Sequence, residues 1–272
     1  VKPRRLSASR GVVRADTPAE FIHAARWVRG IQARVDREAE RLGLLVEAFI
    51  PGREYALEGV LSEGSLRVLA LFDKPDPLDG PYFEETLYVA PSHLPIATQN
   101  EIARHIARAC AAAGLSTGPI HAELRINDQG IWLLEIAARA IGGLCSRSLR
   151  HTLGMSLEEL VLRQALGKPL PPARSGGASG VMMIPIPKRG IYLGSRGLAA
   201  ARALAHITDI QLTVEPGALI LPVPEGASYL GFIFATAASR VEVESALRAA
   251  HRALDFDIQT EVPLTPALAQ PS

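Results

Sequence analysis

Two short stretches constrain the fold of this chain more than any others: His121-Ala-Glu-Leu-Arg-Ile126 and Ile131-Trp-Leu-Leu-Glu-Ile136. The run Asn127-Asp-Gln-Gly130 between them is turn chemistry, so the pair reads as a β-hairpin. With Asp128-Gln129-Gly130 as the loop and glycine at the left-handed position, residue 127 pairs with 131 and Glu123 lies opposite Glu135. In that register Ala122, Leu124, Ile126, Trp132, Leu134 and Ile136 share one apolar face, and His121, Glu123, Arg125 and Glu135 share the other. Opposed carboxylates repel, so the arrangement makes sense with a cation between them. Mg²⁺ suits such a site, because it takes one or two protein carboxylates and completes its shell with phosphate oxygens. The hairpin therefore points to a nucleotide site.

The rest of the composition narrows the class. At 272 residues and 48% apolar, the chain has material for one large domain or two small ones. A net charge of +1 and the lack of a basic cluster argue against nucleic-acid and anionic-membrane partners. Aromatic content of 5% argues against stacking platforms for single strands. Only four lysines (2, 74, 168 and 188) stand among 29 basic residues, which makes Lys2 conspicuous. No apolar run reaches transmembrane length, and Cys110 and Cys145 have neither metal-ligand nor disulfide spacing. A cytoplasmic, reduced protein is expected. The start, Val1-Lys2-Pro3, lacks an initiator methionine and reads like the middle of a strand, as in a fragment of a longer protein.

Along the chain, Asp16-Thr-Pro-Ala-Glu20 opens a helical pattern that runs with breaks to about Leu42. Strands are expected at Gly43 to Ile50, Glu54 to Leu61, Leu66 to Asp73 and Glu85 to Ala90, and a helix at Thr98 to Ala113. Ser156-Leu-Glu-Glu159 is a capping box, and prolines, glycines and serines cluster from Pro169 to Gly180. Beyond that boundary strands are expected at Gly180 to Pro187, Asp209 to Val214 and Tyr229 to Ala235. Helices are expected near Gly197 to Ala205 and Val241 to Leu254, the second behind a capping box at Ser239 and Glu242. The division is thus 1–168, a linker at 169–179, a small α+β unit at 180–258 and a disordered tail at 259–272.

Taken singly, most polar motifs have two readings. Lys2 followed by the Ser/Gly loop Leu6-Ser-Ala-Ser-Arg-Gly-Val12 is a surface loop or a backbone cradle for phosphate. Glu47 and Glu54, flanking Pro51-Gly52, are solvated hairpin acids or groups beside an adenine and a ribose. His105 and His151 read as surface or packing residues, Trp132 as core, and Arg147 and Arg150 as anion ligands or helix-surface charges. His121 shares the polar hairpin face and either lines the site or packs beside it.

The ordered set Lys2-Pro3, the Ser/Gly loop, Glu47-x-x-Ile50-x-Gly52-x-Glu54, Glu123 and Glu135-Ile-Ala-Ala-Arg139 resembles the ATP-grasp superfamily over residues 1 to about 165. The resemblance implies an α+β ATP-grasp fold, an antiparallel sheet with flanking helices, followed by a small α+β C-terminal domain. It implies that Lys2 and the loop around Ser9 hold phosphates. Glu47 and the backbone of Ala48 and Ile50 would contact adenine, and Glu54 the ribose. Glu123 and Glu135 would bind Mg²⁺ with ATP, and Arg139 would steady the transferred phosphoryl group. Many members carry asparagine where this chain has Ala137, which cannot ligate. The family's N-terminal domain is not in this sequence, so weak nucleotide binding is expected of the chain alone.

Glu135-Ile-Ala-Ala-Arg-Ala-Ile-Gly-Gly143, Ser179-Gly-Val-Met-Met and Gly190-Ile-Tyr further resemble the L-amino-acid ligase branch. That resemblance implies that Pro81-Tyr-Phe-Glu-Glu-Thr-Leu-Tyr88 supplies an acid to the substrate's amino group, by position Glu85 with Glu84 as competitor. Some members have histidine at the place of Tyr88 and a bulky aromatic near Gly143, so a roomier acyl pocket is implied here. The expected activity is ATP-dependent carboxylate–amine ligation through an acyl phosphate, with small-molecule carboxylate and amine substrates, and a homodimer left open. The alternatives are a biotin-carboxylase-like or purine-pathway ATP-grasp reaction, and a nucleotide-binding domain without turnover.

Overall fold

The computed structural model describes residues 1–35, 38–170 and 176–260. In chain order the elements are β1 (Lys2–Pro3), α1 (Pro18–Val35), a 310 turn (Ala39–Leu42), β2 (Leu44–Leu45), β3 (Arg53–Ser62), β4 (Ser65–Asp73), β5 (Leu87–Ala90) and α2 (Ile96–Ala112). There follow β6 (Gly118–Asn127), β7 (Gly130–Ala137), a 310 turn (Cys145–Leu149), α3 (Arg150–Leu153) and α4 (Leu157–Ala165). The C-terminal part contributes β8 (Ala178–Ile184), β9 (Gly190–Arg196), α5 (Leu198–Arg202), β10 (Ile207–Leu212), β11 (Leu219–Ile220), β12 (Gly231–Ala237), α6 (Arg240–Arg252) and β13 (Asp255–Gln259). The α+β class expected from the sequence is the one observed.

Eight strands form one sheet in the order β10-β12-β8-β5-β4-β3-β6-β7, and every neighbouring pair is antiparallel. The sheet runs across the Pro/Gly/Ser boundary, because β5 pairs with β8 from Leu87↔Met182 to Ala90↔Ser179. Residues 261–272 of the expected tail and 171–175 of the linker lie outside the described residues, whereas Gln259, expected in the tail, ends β13. Three strands the sequence left unassigned, β9, β11 and β13, form a separate sheet in the order β11-β9-β13. Glycines at 190, 194 and 197 had hidden the period-two pattern there.

Alternation along the strands sorts side chains onto two faces. On one face α2 lays Ile102, Ile106 and Cys110, spaced four apart, over Leu57, Leu61, Leu71, Ala122 and Leu124. On the same face α6 lays Val243 and Leu247 over Met182, Ile233 and Val89. Each such buried aliphatic side chain stabilises by about 1.5–3 kcal/mol. The α6 start is a complete capping box of Ser239 and Glu242, and that of α4 is half of one, with Ser156 accepting from the Glu159 N–H. Gly180 lets α6 approach: a Cβ there would stand 2.8 Å from Val243 Cγ1 and from the Tyr88 carbonyl. Asp73, buried on this face, accepts from Ser92 Oγ at 2.6 Å and Arg240 at 2.8 Å, which ties the first turn of α6 to β4.

The opposite face is only partly covered. Cys145, Leu149, Leu153, Leu157 and Leu160 pack on Phe72, Tyr88, Val181 and Phe234. The remainder, from β3 to β7, carries polar side chains.

Two expectations are corrected. The strand expected at Gly43 to Ile50 is limited to Leu44–Leu45, paired with Lys2–Pro3. Beyond it the Ile50 carbonyl is taken by the Arg125 side chain at 2.7 Å rather than by a neighbouring strand. Trp132 is not core but 39% exposed, and its Nε1 donates to Asn127 Oδ1 at 3.0 Å. The cause is the hairpin tip, where Asn127 pairs with Gly130 around a two-residue loop and Trp132 with Arg125.

Candidate active site

Three alternate cross-strand pairs build the polar face: Glu54↔Arg125, Ala56↔Glu123 and Glu58↔His121. Residues two apart on a strand share a face, so β3 contributes Glu54 and Glu58, and β6 contributes His121, Glu123 and Arg125. On the far side of β6, Glu123 pairs with Glu135 of β7, the edge strand of the sheet. The register shift between Glu123 and Leu124 restores this opposition despite the shorter tip.

The centre is a residue the sequence had marked only in the lysine count. Lys74 leaves the end of β4 and its side chain is 3% exposed. Its ammonium donates to Glu54 Oε1 at 2.7 Å, to Glu123 Oε1 at 2.8 Å and, most closely, to Glu85 Oε1. Tyr88, fully buried on β5, donates its hydroxyl to Glu85 Oε1 at 2.7 Å and stands 3.3 Å from Glu123 Oε1. Glu54, Glu85 and Glu123 each offer an oxygen within 4.8 Å of the others.

Burial and like charge act on these acids unequally. Burial, opposed by the Lys74 charge and aided by Glu123, pushes Glu85 up to about 7. Burial acts on Glu123 in the same direction, but the Lys74 charge and the His121 hydrogen bond outweigh it and hold Glu123 well below the usual carboxylate range. Burial would lower Lys74, yet the three carboxylates hold it well above its ordinary value.

Two further groups fasten the frame. Arg125, 2% exposed, spreads its guanidinium over Glu54 Oε2 at 2.9 Å, the Ile50 carbonyl at 2.7 Å and the Leu78 carbonyl at 2.7 Å. It thereby ties the segment before β3 to the loop that carries Glu85. Gly52 allows the approach of that segment, since at φ +127 a Cβ would meet the Ile126 carbonyl at 2.4 Å. Glu58, 1% exposed, pairs with His121 Nδ1 and accepts from the Ile141 N–H at 3.1 Å, beside Arg139. His121 Nε2 reaches Glu123 Oε1 at 3.6 Å, which places this histidine beside the acid cluster.

The other residues singled out from the sequence fall as follows. Lys2, half-buried, is joined to the exposed Glu47 at 2.6 Å, so the expected phosphate and adenine residues are adjacent. Ser9 and Ala8 take left-handed backbone at φ 55 and 54, and the neighbouring Gly11 N–H donates to the Pro224 carbonyl at 2.8 Å. Ala48 is exposed and Ile50 partly so. Glu135 is exposed, and Arg139 is exposed with a hydrogen bond to the adjacent Ala140 carbonyl at 2.9 Å. The structure therefore gathers Glu54, Glu85, Glu123 and Glu135 at one face, and Lys2, Ser9 and Glu47 near the chain start. Arg147 is committed to Asp209 at 2.6 Å and Gln211 at 2.8 Å on β10.

Comparison with known proteins matches this frame. Residues 1–148 match the ATP-grasp domain family, and residues 182–259 match L-amino acid ligase C-terminal domain 2. The chain belongs to the ATP-grasp family. Carnosine synthase 1 of Gallus gallus is 34% identical over 171 residues, 60% of this chain and 18% of that protein. The L-amino acid ligase of Bacillus licheniformis superposes with a TM-score of 0.81 at 29% identity, over 94% of this chain and 66% of that one. A biotin carboxylase from Campylobacter jejuni shares the fold, with a TM-score of 0.66 at 14% identity, over 95% of this chain and 58% of that one. The chain thus spans less than two thirds of the length of each of these proteins. Among the described residues no helix is long and apolar enough to cross a membrane.

Proposed function

We propose that this chain serves ATP-dependent ligation of a carboxylate to an amine, with an amino acid as substrate. The observation that carries the reading is the convergence of Glu54, Glu85 and Glu123, from three separate segments, beside a Glu123↔Glu135 pair on the sheet edge. The similarity to an L-amino acid ligase and to a carnosine synthase supports it.

In this reading a carboxylate oxygen bonds to the terminal phosphorus of ATP as the bond to ADP breaks. The amine nitrogen then bonds to the acyl carbon, the carbon–oxygen bond to phosphate breaks, and the nitrogen gives up a proton. Positioning and charge neutralisation supply most of the catalysis in such transfers. Lys2 and the loop around Ser9 hold the phosphates, Glu47, Ala48 and Ile50 border the adenine, and Glu54 faces the ribose. Glu85 receives the amino group of the substrate. Arg139, exposed and fastened only to its neighbour's carbonyl among the described residues, reaches the transferred group.

Two opposed carboxylates, one exposed and one half-buried, form a donor set that fits magnesium. Glu123 and Glu135 would hold it, and bound magnesium would neutralise charge on the phosphate oxygens. Ala137, opposite His121, adds no ligand.

The reading is tested by giving the full-length protein Mg·ATP, an amine and an amino acid labelled with ¹⁸O in its carboxylate. Released phosphate carrying one ¹⁸O is expected. Amide formation with unlabelled phosphate would exclude the acyl-phosphate route, and bicarbonate-dependent release would point to carboxylation instead.

A further inference from the structure

The charge balance at the centre of the site sets the role of Lys74. Three carboxylates from β3, β6 and the loop before β5 would repel one another at their observed spacing of 4.8 Å or less. An ammonium has three donors and no acceptor, and here all three meet a carboxylate. Nothing remains on Nζ to bind a phosphate or a substrate carboxylate. The side chain is also 3% exposed, with Nζ 4.9 Å from the centre of the Tyr88 ring, so it is not placed to meet substrate. Lys74 acts on the acids alone.

Those acids belong to different ends of the proposed reaction: Glu54 to the nucleotide, Glu123 to the metal, Glu85 to the amino group. We propose that Lys74 is a positioning residue that couples the nucleotide end of the site to the amine end, by holding Glu85 in register with Glu54 and Glu123. This inference rests on the ligase reading above. Tyr88 supports the same arrangement, since its hydroxyl approaches the same two oxygens, Glu85 Oε1 and Glu123 Oε1. Glu54 also has Arg125 and Glu123 also has His121, so of the three acids Glu85 has, among the described residues, Lys74 alone as its cationic partner. Arginine does not replace lysine here, because a planar fork cannot direct donors at three acids arranged around a point charge.

The test is steady-state kinetics of the full-length protein with Lys74→Met and Lys74→Arg, each checked for folding by circular dichroism. Loss of the coupling raises KM for the amino acid on the order of tenfold in Lys74→Met, with a smaller change in KM for ATP. Lys74→Arg keeps the buried charge and the fold, and raises the same KM. A folded Lys74→Arg protein with wild-type KM for the amino acid would overturn the inference. So would variants that lose only the active fraction, with both KM values unchanged, because that is the behaviour of a purely structural lysine. A wild-type protein that joins no carboxylate to any amine would overturn the ligase reading itself.

Discussion

Glu123 and Glu135 stand directly opposite each other across the β6–β7 hairpin, and Leu134 is the residue the bulge leaves over. The tip of the hairpin is one residue tighter than its sequence suggests, and the bulge absorbs the difference just before the acids. Bulges of this kind re-aim side chains next to functional sites. The two carboxylates differ in surroundings: Glu123 is tied to Lys74, while Glu135 is exposed on the edge strand. Removing the Glu135 charge should therefore leave the fold alone. Glu135→Gln is expected to change stability by no more than about 0.5 kcal/mol, read by urea unfolding. A large destabilisation would show that Glu135 has a structural partner.

Arg125 is expected to behave in the opposite way. Its guanidinium serves Glu54 and two carbonyls from separate segments while almost wholly buried. Arg125→Ala should cost about 3 kcal/mol, because breaking a buried pair strands the remaining partner. Limited proteolysis should then cut first in the loop around Leu78 to Phe83. An unchanged cleavage pattern would contradict the strap.

The Glu58–His121 pair makes a pH prediction for the protein in EDTA. Burial lowers His121, but hydrogen bonds to Glu123 and Glu58 more than offset it and raise the imidazole to about 9. A histidine raised above its unfolded value stabilises the fold fully below the unfolded value. That stability is lost as pH rises through the folded value. Unfolding free energy should thus fall by about 3 kcal/mol between pH 6.5 and 9.5, relative to His121→Gln. The groups facing the imidazole are Glu58 and Glu123, with Arg139 acting on Glu58. Parallel pH curves for the two proteins would contradict the assignment.

Both thiols should be silent in the folded protein. Cys110 and Cys145 are free and buried. Burial, reinforced by the Glu85 charge, pushes the Cys145 thiol up to about 12, so it stays protonated at pH 8. Iodoacetamide is expected to label neither cysteine until denaturant unfolds the chain. Fast labelling of Cys145 under native conditions would show that the packing around Leu149 and Phe234 opens.

Much of this site was legible in the sequence, for a physical reason. The tip is one residue shorter than the sequence suggests, and the bulge at Leu134 takes up that residue before the acids, so the error at the loop did not reach the Glu123–Glu135 pairing. Trp132 lay on the wrong side of the bulge and did not escape it. Glu54 and Glu58 in β3, and His121, Glu123 and Arg125 in β6, carry the alternation of a strand. Their pairing was hidden because β3 and β6 are far apart in sequence, and register between distant strands is set by packing. Lys74 was harder to find. It lies past the end of β4, where a lysine–proline step reads as loop, and its three partners come from three other segments. Its one signal was scarcity, as one of four lysines in the chain.

On the ligase proposal, this face joins a carboxylate to an amine at the expense of ATP. The most direct measurement is phosphate release from Mg·ATP by the full-length protein across a panel of amino-acid pairs, alongside the folded Glu135→Gln variant. Release is expected to require a particular amino acid, to accompany an amide product and to fall at least about 100-fold in the variant. Near-normal release by Glu135→Gln would contradict the metal assignment, and release indifferent to every amino acid in the panel would contradict the ligase reading.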